Sequence, residues 1–347
     1  MSSRSGRFWK QFSRWAPGII ISALAIYAVT RISDWDQLMA AFQRVHPIDI
    51  AVYFIIFIIS MIPRALAWWL ALESKPKPIQ VFFAVNEGYL FNNLFPLRIG
   101  EFARAFLLSG VTGMSPVRIF SSIFIERAYD LALAAGLLLG TIPIAFGIAW
   151  AKPVAIVVLV GVVGGLTVLY LMARNHAKVI KWMTGWMTGK KFLEQKVLPQ
   201  MDALLTGWSV LTKPVLFVLS FLLMVLSWAL SLVCDYYIMR VFIGSVEWWW
   251  PLFVVGILAL GVALPAVPSA VGVYEGSIVA AMAVLGVDSS VALAYGVFVH
   301  FMHFCINNVL GLAGLVKDGQ SIRSIFDRIK NSTDGVDPNK GASEHAA

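Results

Sequence analysis

Long apolar runs, separated by short polar segments, make up most of the chain. Residues 16–30, 48–72, 154–173 and 216–243 approach or exceed the roughly 20 apolar residues with which an α-helix crosses about 30 Å of hydrocarbon. Their residues do not alternate between apolar and polar as those of a membrane strand would. Since only helices and closed barrels satisfy the backbone in lipid, the pattern predicts an all-α polytopic membrane protein folded as a helical bundle.

Basic residues indicate which ends of these runs face the cytoplasm. The first fourteen residues hold four arginines or lysines and no acid, and residues 174–213 hold seven against two acids. Positive charge of this kind stays on the cytoplasmic side. We therefore expect a basic cytoplasmic N-terminus (1–15), an amphipathic cytoplasmic segment (174–212) and a polar cytoplasmic tail (317–347). The first apolar run has no small-residue cleavage site and is expected to be a retained helix.

Two apolar segments fit neither a simple outward nor a simple inward crossing. With the spans that flank them, residues 79–109 would begin and end in the cytoplasm, and residues 249–285 would begin and end outside. Each is interrupted in its middle by prolines, glycines and polar residues, as the broken helices at transporter sites are. We predict two re-entrant hairpins in an inverted repeat, 48–148 and 214–316, within a single transmembrane domain, 16–316. The alternative is that both segments are full helices kinked at proline, which gives eight or more spans.

Composition and charge narrow the class of protein. The 347 residues are 59% hydrophobic and 13% charged, and their mean hydropathy is +0.79. A soluble domain is about 25% charged, so this composition agrees with a membrane protein. The net charge of +8 is gathered in loops beside the apolar runs, which points to orientation in the membrane and not to nucleic-acid binding. Both cysteines lie in apolar runs, so neither a disulfide framework nor a zinc ribbon is predicted.

Six ionisable side chains lie within some of the most apolar sequence. They are Arg98, Glu101, Arg104, Glu126, Arg127 and Asp130. A lone charge near the bilayer midplane costs roughly 2.5–3.5 kcal/mol, so such groups normally pair, line a cavity and serve a function. An arginine among them offers a planar fork to a phosphate, and the carboxylates tune its charge. The alternative is a salt-bridge network that only fixes the register of the helices.

The second hairpin carries different chemistry. It contributes Glu275 beside Tyr274 and no arginine or lysine, so its carboxylate is expected either to receive a cationic group or to stay protonated. His300, His303 and Asn307 share one helical face. Lining or packing is favoured there over metal binding, because the helical glutamate of zinc-protease spacing is missing. The sequence has no Walker loop, Gly-x-Ser-x-Gly elbow or dinucleotide fingerprint, and we expect no cofactor and no metal.

Three motifs occur in order within residues 16–316. The first is Asn92-Asn93-x-x-Pro96-x-Arg98-x-Gly100-Glu101-x-x-Arg104, the second is Glu126-Arg127-x-x-Asp130, and the third is Pro265-x-x-Pro268-x-x-x-Gly272-x-x-Glu275. In these motifs the chain resembles the lysylphosphatidylglycerol synthase transmembrane domain family, the flippase-like membrane portion of bacterial and archaeal proteins. The resemblance implies an inner-membrane protein that moves phospholipids or polyprenyl-type lipids between leaflets.

The chain departs from the family pattern in two respects. Ser269 and Ala270 stand where the family usually has two glycines, which leaves the fine geometry of the second hairpin open. The chain also ends soon after its last apolar run, without the soluble acyltransferase-like domain of the two-domain relatives. An aminoacyl-lipid synthase is therefore not expected.

These observations lead to one predicted function and two alternatives. We predict translocation of a phosphate-bearing lipid between the leaflets of the cell (inner) membrane, without an ATP motor and with the headgroup bound between the hairpins. The alternatives are a membrane enzyme that transfers a group to or from a polyprenyl phosphate, and a lipid-binding scaffold for a partner enzyme. The expected partner is a membrane lipid and not a nucleic acid, and homo-oligomerisation is left open. The predicted substrate-binding residues are Asn92, Asn93, Pro96, Arg98, Glu101, Arg104, Glu126, Arg127, Asp130, Pro268, Gly272, Tyr274 and Glu275.

Overall fold

The part of the chain that the structure describes, a computed structural model, contains only helices as regular secondary structure. It comprises residues 23–27, 30–31, 33–95, 99–146, 151–187, 193–262 and 268–319. The predicted class, an all-α polytopic membrane protein, is confirmed. Pro96 and Arg98 of the predicted site lie outside the described residues, as do the predicted segment 1–15 and most of the predicted tail.

The helices form three sections along the chain. The first contains α1 (Trp35–Phe42), α2 (Pro47–Ala71), α3 (Pro78–Leu94), α4 (Gly100–Thr112) and α5 (Pro116–Phe146). The middle section contains α6 (Ala151–Arg174), α7 (His176–Met187), a π-helical turn (Leu193–Val197), α8 (Leu198–Gly207) and a 3-10 turn (Ser209–Thr212). The last contains α9 (Pro214–Ile243), α10 (Trp250–Val262), a 3-10 turn (Pro268–Ala270), α11 (Val273–Val284) and α12 (Ser289–Lys317).

Local sequence signals set where several of these helices begin. Pro47, Pro78 and Pro214 occupy the first turns of α2, α3 and α9, where the missing N–H of proline has no cost. Asp34 and Asp288 precede α1 and α12, and their carboxylates accept hydrogen bonds from backbone N–H groups of the first turn. Because each helix begins at these signals, the apolar sequence that follows lies within one continuous helix.

Contacts among eight of the helices form a two-fold pattern. Helix α2 packs along α9, and α3 packs on α12 as α10 packs on α5. The pairs α2–α3, α3–α4 and α4–α5 correspond to α9–α10, α10–α11 and α11–α12, and α2–α5 corresponds to α9–α12. Exchanging α2–α5 for α9–α12 reproduces the pattern, and the repeat at 48–148 and 214–316 stays a prediction. The orientation of its halves in a membrane stays a prediction.

Helix length separates the spans from the shorter helices. Within the described residues, α2, α9 and α12 are long and apolar enough to cross a membrane. Helices α3, α4, α10 and α11 have 17, 13, 13 and 12 residues, fewer than the roughly 20 that a crossing needs. The short helices pack as the pairs α3–α4 and α10–α11. Such pairs agree with re-entrant hairpins, which stay a prediction.

Two apolar cores flank the candidate site. Helix α2 contributes Tyr53 and Phe57 to a core that it shares with α9 to α12. It contributes Trp68 to a second core, shared with α3, α4, α5 and α9. Between these positions α2 places Ser60 and Arg64, which are both buried. A charged side chain therefore lies where the two cores adjoin.

Candidate functional site

A network of ion pairs joins α2 to α5. Arg64 lies in the second half of α2, and Glu126 and Asp130 lie one turn apart in α5. The Arg64 Nη2 atom is 3.0 Å from Glu126 Oε1 and 2.6 Å from Asp130 Oδ2. The guanidinium of Arg64 thus bridges both carboxylates of the second sequence motif.

Two further arginines complete this network. The Arg104 Nη1 atom of α4 lies 2.9 Å from Glu126 Oε2. Arg127 places Nη2 2.9 Å from Glu126 Oε1 and Nη1 3.1 Å from Asp130 Oδ2. Three guanidinium groups therefore surround two carboxylates, which leaves one positive charge in excess. Arg104 and Glu126 are buried, whereas 40% of the Arg127 side chain is exposed, so a ligand would meet Arg127 first.

Aromatic side chains hold the buried arginines in place. The Trp68 ring lies 4.5 Å from the guanidinium carbon of Arg104, and Trp68 Nε1 donates to Ser122 Oγ at 2.9 Å. Trp228 Nε1 donates to Asp130 Oδ1 at 3.1 Å. A cation over a desolvated indole ring gains about 2 kcal/mol, which offsets part of the cost of burying the arginine. The network is therefore fixed by helices from both halves of the fold.

A cleft of about 200 Å³ opens beside the network between α4 and α5. Its lining residues are Glu101, Phe102, Phe120, Ile123, Phe124 and Arg127. Glu101 and Arg127 also line a second, much smaller cavity next to Arg104. One carboxylate oxygen of Glu101 is buried and has no hydrogen-bond partner among the described residues. The cleft thus has an apolar wall and one charged end.

The first motif also builds the crossing of α3 and α4. Asn92 Oδ1 accepts a hydrogen bond of 2.8 Å from the backbone N–H of Gly100. A Cβ atom on Gly100 would collide with the backbone oxygen of Gly88, so only glycine permits this approach. Asn92 and Gly100 therefore place Glu101 and Arg104 against α5, and the role of this part of the motif is positional.

Residues of the second predicted hairpin and of α12 form a separate cluster of polar side chains. Glu275 Oε1 lies 2.6 Å from His300 Nδ1, and Glu275 Oε2 accepts from the Gly272 N–H at 2.7 Å. The Tyr274 ring stacks on the His300 ring with 4.2 Å between centroids. His303 lies between two hydroxyls, 2.9 Å from Tyr53 and 3.2 Å from Tyr274. Glu275 thus pairs with a histidine and not with an arginine of the network.

The tips of the two predicted hairpins touch. Ser269 Oγ lies 3.4 Å from Asn93 Oδ1 and 3.0 Å from His300 Nε2. Asn93 Nδ2 donates to Asn308 Oδ1 of α12 at 3.2 Å. Asn93 of the first motif is therefore linked through Ser269 and His300 to Glu275 of the third.

Comparison with known proteins agrees with these motifs. Residues 15–311 match the model of the family described as the lysylphosphatidylglycerol synthase TM region. The chain belongs to this family. A relative from Methanothermobacter thermautotrophicus, a UPF0104 membrane protein, is 24% identical over 332 residues, which cover 87% of this chain and 92% of the relative. No solved structure matches the chain significantly.

The backbone at positions 269, 270 and 272 favours glycine. Ser269 and Ala270 adopt φ angles of 60° and 57°, in the left-handed region that glycine occupies without strain. Gly272, which the third motif retains, has a φ of 83°. Ser269 and Ala270 therefore adopt the turn conformation that suits glycine, but each carries a side chain where glycine has a hydrogen atom.

Sequence analysis missed three polar residues near the site. Arg64 is the only charged residue in the apolar part of α2 between Asp49 and Glu73, so the criterion that selected the other six would have found it. Glu87 of α3 is buried beside Gly314 of α12, and the same criterion applies. Nothing in the sequence distinguishes Asn308 from any other asparagine.

Proposed function

We propose that the chain moves a phosphate-bearing lipid between membrane leaflets without an ATP motor. The observation that carries this proposal is the excess of positive charge beside the apolar cleft. In the ion-pair network beside the cleft, three arginines, Arg64, Arg104 and Arg127, face two carboxylates, Glu126 and Asp130. Glu101 lines the cleft but is not part of this network. A network that only fixed helix register would gain from exact neutrality, whereas an excess positive charge attracts an anionic headgroup.

The donor groups of the network suit a phosphate. Nε of Arg64, Nη2 of Arg104 and Nε of Arg127 are buried and have no acceptor among the described residues. Buried polar groups normally find a partner, and each unmade hydrogen bond costs about 1–3 kcal/mol. Phosphate oxygens are acceptors that guanidinium groups bind in a planar, bidentate manner. Arg127, half-exposed at the cleft, is proposed as the first contact.

The cleft suits the apolar part of the same molecule. Phe102 and Phe124 form its outer wall, and 48% and 46% of these residues are exposed. In a membrane span such exposed phenylalanines face lipid. An acyl or polyprenyl chain in the cleft would place its phosphate at the end formed by Glu101 and Arg127. The site therefore offers apolar contacts to a lipid chain and positive charge to an anionic headgroup.

The fold supports a path across the membrane. We propose that α3–α4 and α10–α11 are re-entrant hairpins that enter from opposite leaflets and belong to inverted repeats at 48–148 and 214–316. Transporter sites form where such hairpins meet near the midplane. The contact between Asn93 and Ser269 supports such a meeting of the two segments. On the positive-inside rule, we propose that residues 1–15 and 317–347 are cytoplasmic. The cell's inner membrane is proposed as the host membrane from the family resemblance alone.

Reconstitution in vesicles tests this function. Purified protein is inserted into vesicles that contain a fluorescent phosphate-bearing lipid, and lipid reaching the outer leaflet is measured by chemical quenching. We expect faster movement than in protein-free vesicles and at least a tenfold loss with Arg127→Gln. Arg118→Gln is the matched control, since Arg118 is also in α5 but pairs with Glu73 outside the network. Equal rates for wild type and Arg127→Gln would remove the assigned site.

A further inference from the structure

Ser269, His300 and Glu275 form a line of hydroxyl, imidazole and carboxylate. Ser269 Oγ is 3.0 Å from His300 Nε2, and His300 Nδ1 is 2.6 Å from Glu275 Oε1. The residues come from the tip of the second predicted hairpin, from α12 and from the first turn of α11. This is the order and spacing in which hydrolases activate a serine. Lipid translocation, as proposed above, makes no use of it.

The carboxylate fixes the proton on the imidazole. Because Nδ1 faces Glu275, it carries the hydrogen, and Nε2 is left as an acceptor for the Ser269 hydroxyl. The Gly272 N–H holds the second carboxylate oxygen, and the stacked Tyr274 ring fixes the plane of the imidazole. Glu275 and Tyr274 are thus positioning residues, and His300 is oriented as a base.

The backbone of Ser269 is strained at this position. Its φ of 60° and ψ of 5° are costly for any residue other than glycine. Nucleophilic serines are commonly held on sharp, strained turns that present Oγ away from the chain. Ser269 lies in the 3-10 turn Pro268–Ala270 and is partly exposed, and Val271, two residues later, is exposed. The strain exists because a serine occupies a backbone conformation that glycine would adopt without cost.

Asn93 supplies the group that a charged intermediate needs. Its side-chain amide lies 3.4 Å from Ser269 Oγ. The structure has Asn93 Oδ1 towards Ser269 and Asn93 Nδ2 donating to Asn308 Oδ1. Amide oxygen and nitrogen are assigned from the hydrogen-bond network, and a concerted turn of the Asn93 and Asn308 amides would keep their mutual hydrogen bond and direct the Asn93 NH₂ towards an oxygen bound at Ser269. Asparagine side chains stabilise the oxyanion of acyl transfer in this way.

We propose that Ser269 is the nucleophile of an acyl-transfer reaction on the carboxylic esters of membrane lipids. Ser269 Oγ attacks the ester carbonyl carbon while its proton passes to His300 Nε2. The tetrahedral intermediate collapses, the C–O bond to the lipid alcohol breaks, and the alkoxide takes the proton from His300. Water then attacks the acyl-serine, gives its proton to His300 and releases a fatty acid, and the proton returns to Ser269. An ester of a lipid is the substrate class because the hairpin tip lies within the membrane domain.

Covalent labelling of the intact, purified protein tests this inference. A fluorophosphonate probe, which phosphonylates activated serines, is added in detergent, and the modified peptide is identified by mass spectrometry. We expect one label, on Ser269, and no label on Ser269→Gly. Glycine accepts the φ of 60°, so this variant keeps its fold, as size-exclusion chromatography will show. Ser277→Ala is the matched control, because among the described residues the Ser277 hydroxyl bonds to Val273 of its own helix, and it should label at the wild-type rate.

The base provides a second arm of the test. His300→Gln removes the acceptor Nε2, and the labelling rate of its monodisperse fraction should fall at least 100-fold, within the range for general-base catalysis. The inference is overturned if the wild-type protein stays unlabelled under conditions that label a soluble serine esterase completely. It is also overturned if the label sits on another serine or if His300→Gln labels at the wild-type rate. Vesicle assays of Arg127→Gln address translocation separately, since Arg127 belongs to the ion-pair network and not to the cluster around His300.

Discussion

Arg64 gives the ion-pair network its excess of positive charge. Its Nη2 atom contacts both Glu126 and Asp130, and without it Arg104 and Arg127 would only balance these two carboxylates. It lies one residue after Pro63 in an apolar helix and is buried among the helices of the bundle. A charge kept at this cost indicates a role that an apolar side chain could not fill.

Removal of Arg64 should destabilise the protein strongly. Arg64→Gln leaves Glu126 and Asp130 with fewer partners in a buried site, and breaking such a pair costs about 3–5 kcal/mol. Unfolding in detergent, followed by tryptophan fluorescence, measures the loss. Arg118→Gln should cost less than about 1 kcal/mol, because its partner Glu73 keeps the contact with Lys213. Equal losses for the two variants would contradict the assigned network.

Ala270 offers the opposite change, a gain in stability. Its φ of 57° costs roughly 1–2 kcal/mol for an L-residue, and glycine removes that cost. We expect Ala270→Gly to raise the free energy of unfolding by about 1 kcal/mol. Ala280→Gly, at an exposed position within α11, should lower it by about 1 kcal/mol. A loss of stability with Ala270→Gly would show that the turn at the hairpin tip has another backbone conformation.

At the scale of elements, Glu73 joins the two halves of the fold at one end. Its carboxylate accepts from Ser209 at 2.6 Å, from Lys213 at 2.8 Å and from Arg118 at 2.9 Å. Burial opposes the charge of Glu73, but the hydrogen bonds from Lys213 and Ser209 and the nearby Arg118 outweigh it and lower the pKa to about 2. The turn after α2 is thus tied to α5 and to the start of α9.

The ion pairs and hydrogen bonds of Glu73 predict that the stability of the protein depends on pH. Because the pKa of Glu73 is lower in the folded state than its ordinary value of 4.5, its contribution is complete above pH 4.5 and is lost as pH falls towards 2. Glu73→Gln should cost about 1 kcal/mol or less near neutral pH and should reduce the loss of stability between these limits. Thermal unfolding across this pH range measures both. An unchanged acid profile in the variant would contradict the assignment.

The packing of α3 on α12 depends on a glycine. A Cβ on Gly311 would lie 2.7 Å from Leu90 Cβ and 2.8 Å from the Asn86 backbone oxygen. Gly311→Ala should therefore cost about 1–3 kcal/mol by overpacking. Gly136→Ala in α5 is the control, since its Cβ would meet no described atom within 4 Å, and it should gain up to about 1 kcal/mol from helix propensity. Thermal unfolding in detergent compares the two variants, and equal effects would contradict this packing.

At the scale of the whole molecule, the sequence predicted the class, the helices and the charges but not how the charges pair. Apolar run length and the cost of buried charge identify Glu126 and Asp130 without tertiary information. The pairing of Glu275 with His300, 25 residues away, depends on how α11 packs on α12. The contact of Asn93 with Ser269 spans 176 residues and depends on the two-fold packing of the bundle. Such distant contacts leave no periodic signal in a single sequence.

The meeting of the hairpin tips is the central claim, because a headgroup that crosses the bilayer there must part Asn93 from Ser269. The most direct test is a reversible cross-link between Asn93→Cys and Ser269→Cys in a protein without Cys234 and Cys305. Ser269 Oγ and Asn93 Oδ1 lie 3.4 Å apart, so small movements of the two segments bring the introduced thiols to disulfide distance. We predict that oxidation in vesicles reduces lipid movement to the protein-free rate, that a reductant restores it, and that neither single variant responds. Unchanged movement through fully cross-linked protein would contradict the account.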